Sequence, residues 1–82
     1  MKLWLISQTA NDDYDTYDGA VVAAETEDAA RHTHPSDGPG WSGEPGESPT
    51  WAYGPSQVTV TLIGEAVPGT EPGVICASFN AG

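Results

Sequence analysis

Four aspartates, Asp12, Asp13, Asp15 and Asp18, fall within seven residues, with Tyr14 and Tyr17 between them. Carboxylates this close suit a cationic partner. In an extended chain Asp13 and Asp15 share one face about 6.6 Å apart, which lets two Lys or Arg side chains bind at once. Glu25, Glu27 and Asp28 form a second acidic group. The same stretch also reads as a solvated hairpin loop that serves solubility alone. Calcium is a third reading. An EF-hand loop needs acids at positions 1, 3 and 5, Gly at 6 and Glu at 12. Counted from Asp13, position 5 is Tyr17, position 6 is Asp18 and position 12 is Ala24, so the pattern fails.

The remaining reactive residues are sparse. His32, His34 and Cys76 offer three zinc ligands at most, whereas structural sites use four. The lone cysteine allows no internal disulfide. No Ser and His pair marks a nucleophile, and no glycine-rich phosphate loop follows a strand. The reading is a binding protein, not an enzyme, with no cofactor and no metal. Trp41, Trp51 and Tyr53 are candidate interface anchors. At least two of the three are expected instead to pin a loop onto the sheet face opposite the helix.

The chain has 82 residues, 12 acidic against two basic, for a net charge of −10. That length makes one domain, 1–82. A domain this small buries only about 60% of its unfolded surface and has little room for a deep pocket. The charge excludes direct nucleic-acid binding through a basic patch, because such binding depends on Lys and Arg neutralising phosphates. The apolar run after Lys2 is too short for a signal peptide, and nothing approaches the roughly 20 apolar residues of a membrane span. A cytosolic protein, expected as a monomer, follows from this.

The elements that must hold these residues are readable. Residues 2–8 alternate as a strand, with Leu3 and Leu5 on one face and Trp4 and Ile6 on the other, the pattern of a central strand. Residues 9–18 form the acidic loop, and 19–25 a second, antiparallel strand. Thr26 caps a short helix with Glu27 and Asp28 in its first turn, and Pro35 ends it. Residues 35–55 hold five of the seven prolines and five of the ten glycines, a long irregular loop. Residues 57–67 and 74–79 are strands, joined by the turn residues of 68–73. The order β-β-α-β-β gives an α+β fold: a small antiparallel sheet of about four strands with one short helix on a face and a long Pro/Gly-rich loop.

Residues 1–8, Tyr14-Asp15-Thr16-Tyr17-Asp18 with residues 20–24, and residues 73–82 resemble a group of small acidic phage and bacterial proteins. The resemblance covers about two thirds of the chain and leaves out the 38–56 loop. Within that group the sequence resembles phage-encoded anti-CRISPR proteins that inhibit type I effector complexes (Cascade), type I-C being the subtype it points to. The resemblance implies a DNA mimic in the bacterial host cytoplasm that evades host defence. It would engage an effector subunit at a basic DNA-binding surface, through Asp12, Asp13, Tyr14, Asp15, Tyr17, Asp18, Glu25, Glu27 and Asp28. The alternatives are a phage or prophage regulator that binds another basic host protein, and an acidic-loop module for a metal or small ligand.

One outcome follows from the incomplete ligand sets. Excess chelator leaves the near-ultraviolet circular dichroism of the three tryptophans unchanged, as a fold independent of metal requires.

Overall fold

The computed structural model describes residues 1–11, 15–43 and 50–80. Strand β1 (Lys2–Ser7) forms first and β2 (Thr16–Ala24) returns antiparallel to it. A five-residue helix α1 (Glu27–Arg31) follows. Then come a two-residue pair, β3 (Thr33–His34) with β4 (Gly38–Pro39), and a 3-10 turn over Pro55–Gln57. Strands β5 (Thr59–Glu65) and β6 (Gly73–Asn80) complete an antiparallel sheet of order β5-β1-β2-β6. The α+β fold with four antiparallel strands and one short helix is the one expected, and β1 is a central strand. Among the described residues no helix is long and apolar enough to cross a membrane.

Local chemistry explains the helix. Thr26 Oγ1 accepts the Ala29 N–H at 3.1 Å, which satisfies a donor that the first turn leaves free. Glu27 and Asp28 lie at the positive end of the helix and Arg31 at the negative end. The helix ends at Arg31, before the expected proline stop, because the chain turns directly into β3.

The side chains of β1 and β2 sort by register. Trp4 faces Val22 and Ile6 faces Ala20, and all four are buried. These residues and Ala24 form one cluster with Ala30 of the helix, Val58, and the loop residues Trp41, Trp51 and Ala52. The helix and the loop therefore cover the same face of the sheet. The expectation that the loop would pin the opposite face is overturned, and the reason is length. Five helical residues span only about 7.5 Å, while four strands extend about 19 Å across, so the loop must finish the layer that the helix begins.

The loop packs tightly enough to need glycine. Gly43 has φ +77°, and a Cβ there would lie 2.3 Å from Pro55 Cδ. Arg31 Nη1 donates to the Val58 and Pro55 carbonyls, which ties the helix end to the approach of β5. Strand β2 begins at Thr16, three residues earlier than its sequence suggested, so Thr16, Tyr17 and Asp18 belong to the sheet. The ladder between β2 and β6 is irregular between Tyr17 and Gly19, and Asp18 sits at that bulge.

Depth of burial differs along the covered face, which makes a measurable contrast. Ile6 is fully buried and Leu62 is half exposed. Ile6→Ala lowers unfolding free energy by about 3 kcal/mol in urea titration, whereas Leu62→Ala changes it by less than about 1 kcal/mol.

Candidate functional site

The acidic loop is clamped at its base by two buried amides. Gln8 Oε1 accepts the Asn11 N–H at 2.7 Å, and Gln8 Nε2 donates to the Asn11 carbonyl at 2.7 Å and the Tyr17 carbonyl at 2.9 Å. Asn11 Nδ2 donates to the Trp51 carbonyl at 3.0 Å. The Tyr17 N–H donates to the Thr50 carbonyl at 2.7 Å. Both ends of the loop are thus fixed to each other and to the 50–51 segment. Sequence reading missed Gln8 and Asn11, and one signal was available. A Gln ending an alternating strand, with Asn three residues on, offers paired donors and acceptors where a hairpin must turn.

The nine expected partner-binding residues fall into separate settings. Asp12, Asp13 and Tyr14 lie outside the described residues. Asp15 is exposed, with φ +61°, a left-handed conformation that Asp tolerates better than most residues. Asp18 is exposed at the β2 bulge, and its carbonyl accepts the Gln8 N–H at 3.3 Å. Tyr17 turns inward. Its ring meets Phe79 at 4.7 Å and His34 at 6.5 Å, both edge-on, so it packs against the core as well as bordering the loop.

Glu25 is exposed just beyond β2, and Glu27 and Asp28 are exposed on the first turn of α1. Seven residues of extended chain, about 23 Å, separate Asp18 from Glu25. Asp15 and Asp18 stand at one end of β2 and Glu25, Glu27 and Asp28 at the other, so these described carboxylates do not form one continuous patch. Their surroundings differ as well. Glu27 Oε2 lies 3.6 Å from Arg31 Nη2, and Asp28 Oδ1 lies 3.7 Å from His32 Nδ1. Among the described residues, no cation lies within ion-pair reach of Asp15, Asp18 or Glu25.

The other singled-out residues serve the core. Trp41 and Trp51 are buried, and Tyr53 is 57% exposed. Their rings meet His34 edge-on, at 5.8 Å for Trp41 and 6.4 Å for Trp51. His34 is wholly buried, and its Nδ1 accepts the N–H groups of Ser36 at 2.9 Å and Asp37 at 3.1 Å. Those bonds need a lone pair on Nδ1, so the Asp37 carboxylate 3.9 Å away is a neighbour of the ring and not an ion-pair partner. Cys76 is exposed on β6, away from this buried ring. Among the described residues no three His, Cys, Asp or Glu side chains gather as a metal site would require. No protein-family model, curated protein or solved structure matches the chain.

The histidine lends itself to a direct test. His34→Leu leaves the Ser36 and Asp37 N–H groups without an acceptor and destabilises the fold by about 2–3 kcal/mol. His34→Asn places an oxygen near the Nδ1 position and recovers part of that loss. Paired urea titrations of the two variants measure the difference.

Proposed function

We propose that this chain is a phage-encoded inhibitor of a type I CRISPR effector complex that occupies the effector's basic DNA-binding surface in the host cytoplasm. Guide-RNA effectors hold nucleic acid in a positively charged channel. A chain of net charge −10 is steered toward such a channel and competes there with the phosphates of target DNA.

The observation that supports this reading is the clamped loop base with its unpaired carboxylates. Asp15 and Asp18 project beside a backbone held by Gln8, Asn11 and Tyr17, so little ordering entropy opposes their docking. Among the described residues they also have no cation within ion-pair reach to give up. Glu27 would first have to leave Arg31, which makes the helix group the weaker contact group. Asp12 and Asp13 join Asp15 and Asp18 in the proposal by sequence position. Tyr17 contributes chiefly by setting the strand end from which Asp18 projects.

Inhibition assays with purified type I-C effector and labelled target DNA test it. Replacing Asp12, Asp13, Asp15 and Asp18 with Asn weakens inhibition at least tenfold, since each desolvated charge pair is worth about 2–5 kcal/mol and each rim pair less. The near-ultraviolet spectrum stays unchanged, because Asp15 and Asp18 are exposed and the described core is built from the sheet, the helix and the loop tryptophans. Replacing Glu25, Glu27 and Asp28 with their amides changes inhibition by less than about threefold. Wild-type inhibition weakens as salt rises, because exposed charges are screened over about 10 Å at 0.1 M. Equal inhibition by the wild type and the fourfold variant rejects the loop, and no inhibition by the wild type rejects the function.

A further inference from the structure

The sheet face left bare by the helix and the loop has no part in that reading. Leu5 lies opposite Val21, and Val21 opposite Cys76. One step along the sheet, Ser7 lies opposite Gly19 and Gly19 opposite Ser78. Leu5, Gly19, Val21, Cys76 and Ser78 line an open groove of about 250 Å3. None of them is charged. Leu5 is 40% exposed, which leaves a bulky apolar side chain in water at the centre of the sheet. Gly19 supplies the hollow beside it, and a Cβ there would lie only 3.3 Å from the Ile6 carbonyl oxygen.

We propose that this face is the interface of a weak symmetric homodimer, with two sheets stacked face to face and Leu5 of each copy set over Gly19 of the other. Shape supports a second copy as the occupant. Leu5 and Gly19 sit on neighbouring strands two positions apart in register, so a twofold axis lying between them in the plane of the interface exchanges knob and hollow. Area agrees. Four strands about 4.8 Å apart and about seven residues long make a face of roughly 450 Å2. Two such faces bury roughly 900 Å2 before corrugation is counted, close to the ~1,000 Å2 that a specific interface needs. A partner recruited by charge finds no carboxylate in this groove, whereas an uncharged face complements its own copy.

Electrostatics sets the sign of the salt response. Each copy carries −10, so the charge of the whole molecule opposes pairing through an uncharged patch. Added salt screens that repulsion and strengthens the dimer. Charge-driven binding to a basic partner responds in the opposite direction.

Sedimentation equilibrium on the full chain tests this without any effector, so its failure is separate from failure of the proposed function. Across about 10 μM to 1 mM protein, the mass rises from 8.5 kDa toward twice that value. Association tightens at least about fivefold between roughly 0.05 and 0.5 M salt. Leu5→Lys and Ser78→Lys both remain monomeric in both salts. Each makes the chain less acidic, which by itself favours association, so their loss of pairing reports the face and not the net charge. Ser78 is exposed on an edge strand, so Ser78→Lys gives the answer should Leu5→Lys fail to fold. A wild type of 8.5 kDa throughout, a dimer retained by the folded variants, or a dimer that weakens with salt overturns the proposal.

Discussion

The fold depends on covering one sheet face when the helix available is too short to do so. Helix α1 contributes a single buried residue, Ala30, to the core cluster. Trp41 and Trp51 supply the rest of the layer, and His34 holds them together by edge contacts with both rings. The β3–β4 pair exists to place that histidine. The turn between its two strands presents the Ser36 and Asp37 N–H groups to Nδ1, and the Trp41 N–H bonds to the His32 carbonyl at 2.8 Å. The described parts of the Pro/Gly-rich loop are therefore a structural layer. Prolines fix its φ angles, so fewer unfolded conformations are lost on ordering it.

That arrangement governs what could be read from the sequence. Strand β5 was legible from its alternation and β1, β2 and β6 from apolar runs of four or five residues, and Thr26 announced the helix by its capping chemistry. The β3–β4 pair was not legible. Two residues per strand show no periodicity, and the bonds that hold the pair come from a histidine side chain. The face chosen by the loop was equally hidden, because composition says that tryptophans will be buried but not against which side. The same limit explains Tyr17. Beside three aspartates it looks like surface, yet the bulge at Asp18 shifts its register and turns its ring onto Phe79 and His34.

Charge on this molecule is distributed by what the core can accept. The five described carboxylates of the two acidic groups, Asp15, Asp18, Glu25, Glu27 and Asp28, are exposed at strand ends or on the first helical turn, where water reaches them. Of the two basic residues, Arg31 is committed to Glu27 and to the carbonyls before β5. The acidic surface is thus nearly uncompensated, and its two groups have unequal freedom. The end with Asp15 and Asp18 has its backbone held by hydrogen bonds and, among the described residues, no counter-charge within ion-pair reach. The end with Glu27 and Asp28 is partly neutralised by its own helix. Similar composition yields two surfaces of different binding capacity, and only hydrogen bonds and ion pairs distinguish them.

The same surplus charge bears on the exposed strands. Strand β6 is a sheet edge of eight residues with no proline and no charged side chain, the kind of edge that invites strand addition. The bare face adds Leu5 and the groove beside Gly19. Nothing within these elements blocks uncontrolled association, so the protection must come from elsewhere. A net charge of −10 on 82 residues supplies it through repulsion that acts over about 10 Å at moderate salt, whichever way two copies approach. This repulsion carries no geometric information. It penalises every pairing alike, and only a contact with enough complementary area overcomes it. The wide face with its knob and hollow meets that condition better than a single edge ladder, whose main-chain bonds bury little apolar surface. The acidic composition therefore sets the threshold that any contact between copies must exceed, while the shape of the bare face selects the contact able to exceed it.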